Sequence, residues 1–150
     1  MIEPPWITET SALYVAAIHL FIPREEIRHV MTPALDELAA VLDAQGVTPT
    51  GPWLTHHYEM KPEVFDFDVC LPVASPVASS GRVRASEIPA SKVARTIYQG
   101  GYAGIGKAWR ELDDWIRDES LTPGPDRWER YLMDTASQKR TELNRPLIGL

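Results

Sequence analysis

Two spacings of apolar residues alternate along the chain and divide it into elements. Ala12 to Ile22 is an apolar run containing His19. It is much shorter than the ~20 residues a membrane-crossing helix needs, and reads as a buried strand. From Pro23 to about Ala44 the spacing becomes helical: Ile27, Val30, Met31, Ala34, Leu35, Leu38, Val41 and Leu42 form a stripe. Glu25 and Glu26 occupy the first turn and Gly46 lies just past the end, as helix termini favour. Pro33, inside the pattern, predicts a kink or a split-off first turn. A second helix is expected from about Ala103 to Asp118, with Ile105, Trp109, Leu112 and Ile116 as its stripe, widened by Ala108 and Trp115, and Pro123 and Pro125 stopping it. Elsewhere the period is two. Phe65, Phe67 and Val69 alternate with Asp66 and Asp68, and 93–98 and 128–133 are strand-like.

The coarse order is strand, helix, strand, strand, then strand, strand, helix, strand, strand. A repeated phrase supports this doubling. Thr48-Pro49-Thr50-Gly51-Pro52-Trp53 recurs as Thr122-Pro123-Gly124-Pro125-Asp126-Arg127-Trp128, each copy following a helical pattern and leading into a strand. The expected architecture is α+β: one domain over 1–150, made of two strand-helix-strand-strand modules at about 8–75 and 82–150. The segment Ala74 to Ser86, rich in Ser, Ala and Pro, reads as the connection.

Composition narrows the chemistry. A chain of 150 residues can bury a sizeable core, and its net charge of −6, with no basic stripe, argues against direct nucleic-acid binding. Because the first strand comes so early, no N-terminal helix-turn-helix is expected. The single cysteine, Cys70, lies in an apolar run and reads as a buried thiol. Met1 to Glu9 is acidic and proline-bearing, unlike a secretory signal, so a cytoplasmic location with no membrane association is expected. No metal-ligand spacing appears, and adjacent His56 and His57 on a strand face opposite ways, so neither metal nor cofactor is expected. Gly101-Tyr102-Ala103-Gly104-Ile105-Gly106-Lys107 fits Gly-x4-Gly-Lys, but Ala108 stands where a phosphate-binding loop needs Ser or Thr. The alternative account is packing: Gly100 and Gly101 permit the turn, while Gly104 and Gly106 let the helix approach the sheet.

Four pieces carry a family resemblance: Phe65-Asp66-Phe67-Asp68-Val69-Cys70-Leu71-Pro72-Val73; Ile88-Pro89-Ala90 with Val93-Ala94; Gly100-Gly101-Tyr102 followed by Ala108-Trp109, Leu112 and Trp115; and Trp128-Glu129-Arg130-Tyr131 running to Asp134. In this order they resemble the GyrI-like small-molecule-binding domain, the module also found as the effector-binding domain of drug-sensing bacterial regulators. The resemblance implies two modules related by a pseudo-twofold axis, an antiparallel sheet with two helices on one side, and a ligand cleft between the modules. It also implies that Glu129 meets the charge of lipophilic cationic ligands there, with Tyr131 as its aromatic companion. Strand geometry puts Glu129 and Tyr131 on one face and Arg130 on the other. A buried carboxylate costs several kcal/mol unless compensated, and a cation bounded by aromatic rings can compensate it.

Aligning Tyr58 with Tyr131 places His56 opposite Glu129, which makes the expected site asymmetric in charge. Of the five tryptophans, Trp109 and Trp115 fit the core stripe of the second helix, although Trp109 also stays a candidate for ligand contact. Trp53 and Trp128 open strands toward the expected cleft, and Tyr58, Phe67, Tyr102 and Tyr14 are further candidates. Two functional classes follow. The first is a protein that senses or sequesters a hydrophobic, cationic or zwitterionic small molecule, as a monomer or a homodimer joined at strand edges, with room for a protein partner. The second is a hydrolase of electrophilic, strained-ring (cyclopropanoid-type) natural products. There Glu129 would be the general acid/base and Tyr131 or His56 would assist.

Overall fold

The change of spacing is realised in a computed structural model, which describes residues 1–149. The strands are β1 Trp6–Thr10, β2 Leu13–Pro23, β3 Leu54–Met60, β4 Val64–Pro72, β5 Arg84–Ile88, β6 Ser91–Gln99, β7 Thr122–Pro123, β8 Arg127–Asp134 and β9 Lys139–Ile148. The helices are α1 Ile27–Ala44 and α2 Ile105–Asp118, each entered through a short 3-10 turn, at Arg24–Glu26 and Tyr102–Gly104. By their internal contacts these elements divide into two compact units, Ala12–Pro89 and Met1–Ser11 with Ala90–Leu150.

The first unit is an antiparallel sheet in the order β3-β4-β2-β5. Cross-strand partners share a face, so Leu20↔Phe67 and Ile18↔Val69 define one side of it. Those four side chains are buried with Ala34, Leu38 and Leu42 of α1. The intervening residues, His19↔Asp68 and Phe21↔Asp66, lie on the side away from α1. Pro33 sits inside α1 and does not split it. Proline removes a single intrahelical hydrogen bond, and the residues on its C-terminal side, Ala34, Leu38 and Leu42, are buried in the core.

The second unit repeats this plan with β8-β9-β6-β1, and the two-residue β7 pairs with the end of β9. Here Ala108, Trp109, Leu112 and Ile116 of α2 are buried with Ala94, Tyr98, Leu143 and Leu147 of the sheet. The observed division differs from the expected limits of 8–75 and 82–150. β5, from the segment read as a connection, is hydrogen-bonded to β2 from Leu13↔Ile88 to Ala17↔Arg84. β1, unpredicted because Met1 to Glu9 lacks a clean alternation, pairs with β6 from Trp6↔Arg95 to Thr10↔Ser91. Each strand-helix-strand-strand core thus gains an edge strand whose partner is fixed by register rather than by local sequence.

The glycines before α2 serve packing. The Tyr98 hydroxyl donates to the Gly101 carbonyl at 2.8 Å. A Cβ at Gly104 would overlap that hydroxyl, and one at Gly100, where φ is +147°, would lie 2.6 Å from it. Gly101 and Gly106 have no such crowding, so the close approach expected at Gly106 is confined to Gly104. Gly104→Ala is expected to destabilise the protein by about 1–3 kcal/mol, as overpacking typically does. In a Tyr98→Phe background the penalty should shrink. Equal melting-temperature losses in the two backgrounds would contradict this account.

Candidate functional site

Arg127, Glu129 and Tyr131 alternate along β8 and share the face of Leu143, the cross-strand partner of Glu129. That face is covered by α2, whose apolar stripe carries Trp109. Trp109 Nε1–H donates to Glu129 Oε2 at 2.6 Å, and the Tyr131 hydroxyl donates to Oε1 at 2.6 Å. Glu129 is 8% exposed. The Tyr131 ring meets Tyr102 edge to face at 5.8 Å. Tyr102 is half exposed, with Lys139 Nζ 4.5 Å from its ring centroid. Burial, then a hydrogen bond to Asp134, push the Tyr102 phenol well above its ordinary pKa.

Glu129 differs from the other buried carboxylates in what balances its charge. Asp68 is ion-paired to Arg84 at 3.0 Å, and Glu142 to Arg130 at 3.1 Å and Arg95 at 3.5 Å. Glu129 makes no ion pair among the described residues; its hydrogen-bond donors, an indole and a phenol, are neutral. A carboxylate offers about four lone-pair directions, so two donors leave acceptor capacity on a buried charge.

The surroundings of the other candidates follow from their own strands. A β-bulge interrupts β3 between His57 and Glu59 and β8 between Tyr131 and Met133. Matching the bulges makes Tyr58 the counterpart of Leu132, His57 of Tyr131 and Thr55 of Glu129. The alignment of Tyr58 with Tyr131 is therefore one residue out, and one residue on a strand reverses the face. His56 pairs across the strands with Asp68, on the side away from α1. There the Tyr58 hydroxyl donates to Asp68, the His56 ring lies 4.8 Å from the Tyr58 ring, and His19 Nδ1 is 2.9 Å from Asp68 Oδ1. Burial, then Asp68, raise the Tyr58 phenol.

Phe67 is fully buried and stacked on His57 at 4.9 Å, a core position against α1. Trp53 packs on the same cluster. Trp128 is buried, but its partner is Asn144, so it faces away from α2 and from Glu129. Cys70 is buried, and burial raises its thiol well above the ordinary value. Asp68, Arg84 and Arg127 escaped sequence reasoning. Asp68 was visible as a polar position in an alternating strand, but Arg84 lay in the segment read as a connection. Among the described residues no group of three or more His, Cys, Asp or Glu is placed to hold a metal ion. No helix among them is long and apolar enough to cross a membrane.

Beside this geometry, the sequence model of the GyrI-like small molecule binding domain matches residues 4–145. The chain belongs to this family. The GyrI-like domain has close structural counterparts despite low identity. The crystal structure of the EcmrR C-terminal domain superposes with a TM-score of 0.84 at 21% identity, covering 98% of each chain. EcmrR in its DNA complex gives 0.84 at 20% identity, and there this chain spans 58% of the longer protein. SAV2435 bound to tetraphenylphosphonium gives 0.71 at 14% identity, covering 98% of this chain and 95% of that one. A hydrolase from Listeria innocua gives 0.70 at 12%, covering 95% and 91%. These likenesses establish the α+β fold shared with this domain. No curated protein sequence matches the GyrI-like domain described here.

Asp134, at the end of β8, gives a pH-dependent check on this edge of the site. Partial burial opposes its ionisation, but hydrogen bonds from Lys139, 2.8 Å away, and from Tyr102 outweigh it and hold the carboxyl below its usual value. The native state therefore binds this proton less tightly than the unfolded chain. Its stabilisation is present above the unfolded value, near pH 4, and is lost as pH falls through the lower native value. Asp134→Asn is expected to lower stability at pH 7 by less than about 1 kcal/mol, the pair being partly exposed. The difference should shrink in acid, as read by melts at pH 7 and pH 2.5.

Proposed function

We propose that this GyrI-like domain is a binding protein that senses or sequesters a hydrophobic, positively charged small molecule, with the charge received at Glu129 and the apolar body against Trp109, Tyr131 and Tyr102. The observation that carries this reading is the missing counter-charge. Asp68 and Glu142 are buried beside arginines, whereas Glu129 is buried with neutral donors and aromatic rings. A lipophilic cation supplies what is lacking: attraction to the carboxylate, cation–π contact with the rings, and apolar area. Membership of a small-molecule-binding family supports it, as does a fold shared with a protein that binds tetraphenylphosphonium. Phe67 is packed in the core against α1, and His56 pairs across the strands with Asp68. In this reading the domain acts in the cytoplasm and does not itself contact nucleic acid.

A second reading, hydrolysis of a strained electrophile, is favoured by the Tyr131 phenol held 2.6 Å from Glu129 and by the hydrolase of the same fold. Glu129 would take a proton from water as the oxygen bonds to a ring carbon, and the carbon released by ring opening would be protonated.

Titration with tetraphenylphosphonium, followed by tryptophan fluorescence, tests the first reading, since Trp109 touches Glu129. Glu129→Gln should weaken binding at least about tenfold, the scale of losing a desolvated cation–carboxylate contact. Equal affinity in both proteins would remove the carboxylate from the account. Time-dependent loss of a cyclopropanoid electrophile, abolished by Glu129→Gln, would instead establish the second.

A further inference from the structure

The aromatic face next to Glu129 already holds a cation of the protein's own. Arg127 is 8% exposed and lies on the Glu129 face of β8, and its guanidinium carbon is 4.6 Å from the centroid of the Trp109 ring. The same indole donates its N–H to Glu129 at 2.6 Å. One tryptophan thus presents its edge to the carboxylate and its face to a cation. Arg127 is held loosely for a buried charge. Nη1 is 3.6 Å from Asp113 Oδ2, while the other oxygen of Asp113 is taken by Arg145 at 2.7 Å. Arg127 Nε is buried with no hydrogen-bond partner among the described residues. Burial, then repulsion from Arg145, pull its pKa below the ordinary value, against the opposing pull of Asp113 and Glu129. A buried guanidinium with an unmade hydrogen bond and a nearby like charge is costly to keep in place, so displacing it costs less than displacing a fully paired arginine.

We propose that Arg127 is a specificity-determining residue that competes with the positive charge of the ligand for the Trp109–Glu129 pair. This inference rests on the binding function proposed above and refines its ligand class. A compact cation such as tetramethylammonium adds little apolar area to what Arg127 already supplies and is refused. A bulky lipophilic cation adds buried apolar area and displaces the guanidinium toward Asp113. The filter is the resident arginine, and its removal relaxes the selection.

Two probes of the same shape and opposite charge isolate the effect: tetraphenylphosphonium and tetraphenylborate, titrated into the wild-type protein, Arg127→Met and Arg127→Gln. Gln is a second uncharged replacement, polar where Met is apolar, so the test survives if Met does not fold. The ratio of cation to anion affinity should rise about tenfold or more in either variant, and tetramethylammonium binding should become measurable. An unchanged ratio, with Glu129→Gln still weakening the cation, would overturn the role of Arg127 and leave the binding function standing. If neither the wild-type protein nor the variants bind tetraphenylphosphonium, the binding function itself fails and this inference fails with it.

Discussion

A carboxylate on the helix-covered side of β8 can stay there because α2 brings an indole N–H to one oxygen and the same strand brings a phenol to the other. Two short hydrogen bonds from neutral donors meet part of the desolvation cost of a buried charge, and leaving either oxygen bare would cost more than the bond itself contributes. The surrounding structure is set by this arrangement. Trp109 must point at the sheet, so it belongs to the apolar stripe of α2 and its ring packs with Leu112 and Ile116. Tyr131 must follow Glu129 by two residues to reach the same carboxylate, which fixes the strand conformation before the bulge. Core packing and site chemistry are therefore carried by the same side chains.

Much of this was legible in the sequence where the signal is periodic. The stripes of α1 and α2 and the alternation of β4 and β8 appear in the apolar pattern, because burial on one face leaves a repeat of 3.6 or 2 residues. Glu129 and Tyr131 were placed together by the same rule. What failed depended on partners distant in sequence. β1 is a five-residue edge strand whose place is set by hydrogen bonds to β6, and β5 was hidden in a Ser, Ala and Pro-rich stretch although its backbone pairs with β2. Edge strands bury little, so their sequences carry little pattern.

The error over His56 has a sharper origin. The repeated Thr-Pro-Gly-Pro-Trp phrase aligns the two halves near the start of β3 and β8, but each strand later absorbs an extra residue in a bulge. Sequence alignment cannot see which residue is unpaired, and a displacement of one position exchanges the covered face for the other. His56 consequently belongs with Asp68, Tyr58 and His19, a network that contains its own arginine in Arg84.

Bulge matching also shows how two similar halves came to differ in chemistry. At the position facing the helix, the first half has Thr55 and the second has Glu129. A threonine there buries a neutral hydroxyl, whereas a glutamate buries a charge, and in both halves the acids on the opposite face, Asp68 and Glu142, are matched by arginines. The buried carboxylate without an arginine partner thus lies on the covered face of the second half. Arg127 stands next to that charge over the face of Trp109 without forming an ion pair with it. A fold that had to neutralise Glu129 for stability alone would pair it directly, as it does Asp68. Holding the cation over the indole leaves Glu129 with neutral donors alone, at the cost of an unsatisfied Nε on Arg127.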